Sequence, residues 1–262
     1  MIIILVFFCI SFAFLVLYID TLVVADSGTV YVLESKLGHE GKAAGEFNVP
    51  HSIAFDSLGN MYVTDNSNDR VQKFTSNGTF ITKWGSEGTA DGQFSGPEGI
   101  DVDSAGSIYV ADTGNSRIQK FTSNGTFITK WGSEGTADGQ FSSHAHGVLA
   151  DSLNNIYITD RFNHRVQKFT SNGTFITKWG SHGTAAGQFG LLLGIDVDSS
   201  GNVYTVDQAN SRIQIFDSSG RFITGWTNPE FSKLEDIELD SADNVYVTDR
   251  NKNEIFKFVQ AR

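Results

Sequence analysis

The chain has little cysteine, little proline and few basic residues. Its one cysteine, Cys9, lies in an apolar N-terminal stretch, so the residues after it offer no disulfide and no thiol chemistry. Lysine and arginine number 19 against 30 acidic residues, which gives a net charge of −11. A surface this acidic repels phosphate backbones and argues against a nucleic-acid partner.

Several enzyme motifs are also missing from the sequence. We find no glycine-rich phosphate loop between a strand and a helix, and no EF-hand spacing among the many aspartates. No Ser/His/Asp set can be assembled from the order of the residues. These absences favour a binding module over an enzyme, and no cofactor is predicted with certainty.

Residues 1–25 form a hydrophobic segment that we interpret as a signal or an anchor. As a helix, the apolar residues 1–18 would span roughly 27 Å, about the thickness of a bilayer core. A cleaved signal peptide ending near Ala25 is an alternative, although no basic residue precedes Lys36. A third interpretation is that these residues form a buried pair of strands, left from a damaged first copy of the repeated unit described below. We expect a membrane-anchored chain with its folded part outside the cell, or a secreted one.

A repeated unit fills most of the remaining sequence. Its clearest copy, residues 99–132, has four short runs of alternating apolar residues separated by turn residues, which predicts four antiparallel strands. Asn124-Gly125 predicts a type I′ hairpin between the last two. The arginines of the third run recur at intervals of 47, 48 and 47 residues, and Glu254 replaces the arginine in a final copy. They are Arg70, Arg117, Arg165 and Arg212.

This period, with four strands a unit, predicts an all-β propeller of four-stranded antiparallel blades over residues 26–262. Five units begin near residues 49, 97, 146, 193 and 234. The last unit has no fourth strand, and residues 28–37 form a strand without a blade, so we expect them to complete the last blade and close the ring. Six blades is the alternative, because residues 1–47 are about one repeat long.

The motif Asp-x-x-Asn-x-Arg-Val/Ile-Gln-Lys-Phe resembles the NHL repeat. It occurs at residues 65–74, 112–121 and 160–169, with a variant at 207–216. The resemblance implies a propeller, in a family that includes extracellular binding domains, RNA-binding domains, partner-recruiting domains and a peptide-amidating lyase. Because one fold carries many functions, the function must be argued from the site.

Most repeated residues have structural interpretations. One tryptophan ends each fourth strand, and one phenylalanine anchors each linker to the next blade. The Asp/Asn/Arg set is expected to hold the turn after the second strand, with bidentate Arg–Asp pairing. Three Asn-Gly-Thr segments make hairpins and are also glycosylation sequons, headed by Asn77, Asn124 and Asn172.

The central channel offers the best candidate site. The first strand of each blade lines the channel of a propeller, and aligning the strand starts gives one residue per blade. These are His51, Glu98, His146, Leu193 and Glu235, with His144 close by. Two imidazoles and two carboxylates facing one axis predict a divalent cation site, for zinc or calcium, formed by His51, His146, Glu98 and Glu235.

A partial resemblance to the amidating lyases points to the same place. Those lyases bind zinc through histidines at this strand start, often after a proline, as in Pro50-His51. They place an active-site arginine after the strand-end aspartate, where this chain has Arg161. The resemblance therefore implies Arg161 as the candidate catalytic residue, although the third histidine and the tyrosine of the lyase site have no counterpart here.

Three functions remain open at this point. The first is a non-catalytic scaffold that binds a protein, peptide or glycan on the face of the strand 2–3 turns, through Arg161 and Phe162. The second is a metal-dependent lyase or lactonase-like enzyme in the channel. The third is a partner-recruiting or RNA-binding domain that uses lysines repeated at blade spacing. We expect those lysines to block sheet edges instead: Lys73, Lys83, Lys120, Lys130, Lys168 and Lys178.

Overall fold

A computed structural model describes residues 22–24, 30–32 and 36–259, in two compact units, Met1–Leu37 and Gly38–Arg262. In the first unit, strand β1 (Leu22–Val24) pairs antiparallel with β2 (Val30–Val32). The rest of the hydrophobic segment 1–25 and its expected helix lie outside the described residues. Within the described ranges, no helix combines the length and the apolar character that crossing a membrane requires.

The second unit contains five antiparallel sheets, which confirms the five-bladed all-β propeller. The first two blades are β3 (Pro50–Phe55), β4 (Met61–Asp65), β5 (Arg70–Phe74), β6 (Phe80–Trp84), and β7 (Pro97–Val102), β8 (Ile108–Asp112), β9 (Arg117–Phe121), β10 (Phe127–Trp131). The next two are β11 (Ala145–Ala150), β12 (Ile156–Asp160), β13 (Arg165–Phe169), β14 (Phe175–Trp179), and β15 (Leu192–Val197), β16 (Val203–Asp207), β17 (Arg212–Phe216), β18 (Phe222–Thr227). Short 3-10 turns follow the second strands, at Asn66–Asn68, Thr113–Asn115, Arg161–Asn163 and Gln208–Asn210.

The fifth blade has three described strands, β19 (Leu234–Leu239), β20 (Val245–Asp249) and β21 (Glu254–Phe258). Residues 28–37 were expected to supply its fourth strand. Of that segment, Val30–Val32 pairs with Leu22–Val24 in a separate sheet of two strands. Closure of the ring through residues 28–37 therefore stays a prediction.

The first strands are the innermost, because each contacts the first strand of the next blade, from β3 through β19. Their backbones approach closely. A Cβ atom on Gly99 would lie 2.2 Å from the carbonyl oxygen of His146, a contact that no side chain could make. Glycine at this position therefore lets neighbouring inner strands pack around the channel.

The blades are joined by apolar packing. The indole of Trp84 in the first blade packs on Phe121 in the second, with 5.8 Å between ring centroids. A Cβ on Gly125 would lie 2.6 Å from Cδ2 of Trp84, so the hairpin glycine leaves room for the indole of the preceding blade. Phe94 in the linker is fully buried in the same cluster. The expected packing roles of the tryptophan and the linker phenylalanine are confirmed.

The hairpin at Asn124 differs from the type expected. Gly125 has φ +85°, but Asn124 is not among the residues at positive φ. Thr122 and Thr126 pair across a loop of three residues, a hairpin that needs only its last residue in the left-handed region. The type I′ prediction is wrong for this reason. The sequon asparagines Asn77, Asn124 and Asn172 are exposed on such hairpins, and their glycosylation stays a prediction.

A buried ion pair holds the turn after each second strand in the first four blades. In the second blade, Asp112 is fully buried and accepts hydrogen bonds from the Ser95 amide at 2.8 Å and from the Asn115 side chain at 3.0 Å. Arg117 donates one bond to this carboxylate, from Nε at 2.6 Å. The equivalent pairs are Asp65–Arg70, Asp160–Arg165 and Asp207–Arg212.

The guanidinium also binds the linker that enters the blade. The two terminal nitrogens of Arg117 donate to three linker carbonyls at 2.6–2.9 Å, those of Thr89, Ala90 and Gln93. The expected bidentate pairing with aspartate is therefore wrong, because these carbonyls take the other edge of the guanidinium. Each arginine thus ties a turn to a linker.

The third-strand lysines join blades rather than block edges. Nζ of Lys120 lies 4.9 Å from the centroid of the Tyr109 ring and donates to the Ser171 carbonyl of the next blade at 3.1 Å. Lys73 and Lys168 make the same contacts. The edge-blocking prediction is wrong for these three lysines because their Nζ atoms lie over tyrosine rings and bind carbonyls of the next blade.

Three carboxyl groups on the inner strands form a layer that we call the acid layer: Asp101, Asp196 and Glu238. Asp101 accepts a bond from the Ala150 amide of the next blade at 2.7 Å, and Asp196 from the Leu239 amide at 2.6 Å. Partial loss of hydration between the inner strands, with repulsion from neighbouring carboxylates, raises the pKa of Asp101 to about 6, of Asp196 to about 7 and of Glu238 to about 8. Asp196 and Glu238 therefore retain protons near neutral pH, whereas Asp101 retains its proton only in mildly acidic solution.

Substituting Arg117 by alanine tests the buried pair. Arg117→Ala leaves the Asp112 carboxylate buried without its cation and should lower the free energy of unfolding by ~3–5 kcal/mol. Urea unfolding followed by tryptophan fluorescence measures this. Arg221→Ala removes a pair whose arginine side chain is 81% exposed and should cost at most about 1 kcal/mol. Equal effects of the two changes would contradict the role given to Arg117.

The acid layer predicts a dependence of stability on pH. Unfolded carboxyls ionise near pH 4, whereas those of the layer hold protons until about pH 6–8, so the free energy of unfolding should fall as pH rises across this window. Glu238→Gln removes one such group. Its stability relative to the parent should rise with pH and reach a gain of about 1 kcal/mol at pH 8, discounted because the side chain is exposed.

Thermal unfolding at pH 4, 6 and 8 checks the Glu238 prediction. Glu134→Gln is the matched control, since that exposed linker residue lies outside the acid layer. A constant difference between Glu238→Gln and the parent at all three pH values would show that Glu238 is not part of a coupled layer.

Candidate functional site

Three of the four predicted metal ligands meet at the channel. His51, Glu98 and His146 come from the first strands of blades one, two and three, and their ligand atoms all lie within 4.8 Å of one another. Nε2 of His146 lies 3.9 Å from Oε2 of Glu98. The two imidazole rings meet edge to face, with centroids 5.3 Å apart. We call these three residues the channel cluster.

The backbone explains how the second residue of each inner strand reaches the cluster. In every blade, the first strand pairs with the second, and the register of this pairing shifts between the first and the fourth residue of the first strand. In the first blade the shift falls between Pro50 and Ile53. Such a bulge re-aims a side chain. Val49, just before Pro50, has φ +55°. The equivalent residue of the second blade is Gly96, with φ +57°. A β-branched residue is strained in this region, so the chain entering His51 carries local strain.

Both imidazoles of the cluster are neutral at neutral pH. Burial is the main cause that lowers the pKa of His146 to about 3, and His51 and Arg161 add to it. The exposed His51 also has a lowered pKa, because partial loss of hydration outweighs the opposing charge of Glu235. The contact between His146 and Glu98 is therefore not a salt bridge at neutral pH, and the imidazole lone pairs are available to a metal.

The cluster contains buried polar atoms without a partner. Oε2 of Glu98 and Nδ1 of His146 have no hydrogen-bond partner among the described residues. Leaving such groups unsatisfied is costly, and native structures rarely do so without a reason. Burial also raises the pKa of Glu98, although the charge of Arg161 opposes the shift. Two neutral imidazoles and a carboxylate are a ligand set that zinc accepts, with a fourth position open.

The fit to zinc requires small side-chain movements. Ligand atoms on a tetrahedral zinc ion are roughly 3.3 Å apart, given bonds of about 2.0–2.1 Å. The 3.9 Å between His146 and Glu98 is slightly longer. Calcium prefers six to eight oxygen ligands, which this nitrogen-rich cluster does not supply. The cluster therefore suits zinc or a similar transition metal better than calcium.

The other two residues aligned at the channel, Leu193 and Glu235, have different surroundings. Leu193 is buried in the apolar cluster between the fourth and fifth blades. Glu235 lies outside the channel cluster, and its Oε1 is 3.7 Å from Nη1 of Arg250. Glu235 still acts on the cluster through space, because its charge raises the pKa of His51.

Arg161 and Phe162 stand beside the cluster. Arg161 opens the 3-10 turn after β12, and its guanidinium carbon lies 5.3 Å from the centroid of Phe162. Its Nε is buried and has no hydrogen-bond partner in the described part of the chain. The His144 ring packs on Phe162 at 4.9 Å, and Phe162 is 48% exposed. A cation and an exposed aromatic ring therefore flank the candidate metal ligands.

Sequence reasoning missed the acid layer. The repeat contained a signal for it, because Asp101, Asp196 and Glu238 occupy one position of the repeat. That position lies three residues after the strand-start residue that was aligned at the channel. What the alignment could not show is that carboxyls of the second, fourth and fifth blades interact.

Comparison with known proteins agrees with the architecture. A family model described as NHL repeat matches residues 47–74, 94–121 and 143–169. These segments run from the end of a linker through the third strand in blades one to three.

Solved structures of low sequence identity share the fold. A chain of the nidogen/laminin complex is 20% identical with a TM-score of 0.67, covering 90% of this chain and 83% of that one. A catalytically inactive variant of virginiamycin B lyase from Staphylococcus aureus, with quinupristin, is 18% identical with a TM-score of 0.64, covering 90% and 82%. A streptogramin B lyase is 20% identical with a TM-score of 0.62, covering 90% and 75%. The chain is therefore a five-bladed β-propeller with NHL repeats in its first three blades.

Proposed function

We propose that this propeller is a binding domain that holds a divalent transition-metal ion, such as zinc, at the channel cluster. The observation that carries the proposal is the convergence of two neutral imidazoles and a carboxylate with buried, unpartnered polar atoms. His51, Glu98 and His146 would be the ligands. The open fourth position would take water or an atom of the bound partner.

The residues beside the cluster indicate the chemistry of the partner. Arg161 offers a positive charge and Phe162 an exposed aromatic face, and both residue types are enriched among binding hot spots. A partner with an anionic group next to an apolar one fits this pair. We propose a protein or peptide before a glycan. A propeller of the same fold occurs in the nidogen/laminin complex, which supports a protein partner.

A metal-dependent lyase is the second candidate function. Glu98 lies beside the neutral His146, and its raised pKa suits a group that exchanges protons with a substrate. Arg161 would stabilise negative charge that develops in such a reaction. Two structural neighbours are lyases of virginiamycin B and streptogramin B, which supports this candidate at the level of fold. The resemblance to amidating lyases stays a prediction.

RNA binding has less support than either candidate. The net charge of −11 opposes it. Three of the six repeated lysines lie over tyrosine rings and bind carbonyls of the next blade, so they offer no basic stripe.

Metal analysis tests the proposed site. The purified chain should bind zinc at the channel cluster, and His51→Ala/His146→Ala should bind one equivalent less than the parent, because two of three ligands are lost. Calorimetric titration measures the stoichiometry. His39→Ala changes an exposed histidine and should bind as the parent does. A double variant that keeps the parent's full stoichiometry would refute the site.

Cell fractionation tests where the protein acts. We propose that the apolar segment 1–25 directs the chain to a membrane or out of the cell, with the propeller on the outer side. Expressed full-length protein should appear in the membrane or secreted fraction and be digested by protease added to intact cells. Recovery in the cytosolic fraction alone would contradict this proposal.

A further inference from the structure

A pair of histidines lies at the seam between the third and fourth blades. His164 ends the 3-10 turn Arg161–Asn163, and His182 lies in the linker that leaves β14. Their ring centroids are 4.6 Å apart, with 59° between the ring planes. Neither belongs to the channel cluster. We call them the seam histidines.

The other seams show that the backbone does not require histidine here. The position of His164 is Asp69 in the first blade and Ser116 in the second, with φ +50° and +51° against +53° for His164. The position of His182 is Glu87 and Glu134 in the earlier linkers, and all three make the same bridge to the linker phenylalanine. The repeats therefore keep one backbone while the side chains change, and only this seam pairs two imidazoles among those described.

The hydrogen bonds of the structure do not explain the pair. Nδ1 of His164 is buried and has no hydrogen-bond partner in the described ranges. A buried nitrogen without a hydrogen-bond partner has an energetic cost. A metal ion that accepts a lone pair from each imidazole would give that nitrogen a partner.

We propose that His164 and His182 form a second metal site, which binds a borderline divalent transition-metal ion through two imidazole nitrogens. Imidazole suits copper(II), nickel(II) and zinc, and copper(II) binds most tightly in the divalent series. His182 is exposed, which leaves an entry path and room for water ligands. The bound ion would tie the turn of the third blade to the linker that enters the fourth. The site is independent of the channel cluster and of the function proposed for it.

Copper(II) titration of the full chain tests the seam site. The matched variant is His164→Ser/His182→Glu, which gives this seam the residues of the preceding one, Ser116 and Glu134. The parent should bind one copper(II) equivalent more than this variant, and electron paramagnetic resonance of that equivalent should show two nitrogen ligands. His51→Ala/His146→Ala should keep the seam equivalent, so failure at one site is distinguishable from failure at the other.

Two further measurements serve as controls, one for the folding of the seam variant and one for the location of the bound copper(II). Without metal, the seam variant should unfold within a few degrees of the parent, because its residues already occupy the same backbone elsewhere. In histidine side-chain NMR spectra of His51→Ala/His146→Ala, in which the channel cluster cannot compete for the ion, substoichiometric copper(II) should broaden the His164 and His182 signals together. Equal copper stoichiometry of parent and seam variant, or broadening that spares His164 and His182, would overturn the proposal.

Discussion

The buried pair of aspartate and arginine after the second strand of each of the first four blades is the constraint on which the arrangement of those blades depends. In the second blade, Arg117 touches both the turn, through Asp112, and three carbonyls of the preceding linker. A charge buried this deeply stays only if its partners are held in place. The pair therefore fixes where a linker ends and where the next inner strand begins.

The position of the inner strands determines the chemistry of the channel. Their close approach at Gly99 and the register shift near the start of each strand bring side chains of three blades together. His51, Glu98 and His146 are far apart in sequence, yet their ligand atoms lie within 4.8 Å of one another. The acid layer arises in the same way three residues further along. The same set of inner strands thus carries a candidate metal site and carboxyl groups with raised pKa values.

Local patterns allowed the sequence to predict much of the site but not all of it. Aligning the starts of the first strands predicted His51, Glu98 and His146 as channel residues, because equivalent positions of a repeat occupy equivalent places in the fold. Glu235 has the same repeat position but pairs with Arg250, since the residue after the second strand differs from blade to blade. The seam histidines were not predicted, because their contact joins a turn to a linker across a strand pair.

The sequence by itself determined the repeat, the number of strands in a unit, the all-β class and the packing roles of tryptophan and linker phenylalanine. These follow from alternation and spacing, which are local and periodic. Tertiary structure decided the hairpin type, the direction of the third-strand lysines, the linker contacts of each arginine and the members of the channel cluster. Each of these depends on atoms from a neighbouring blade or linker, or on a backbone angle that several turn types could satisfy.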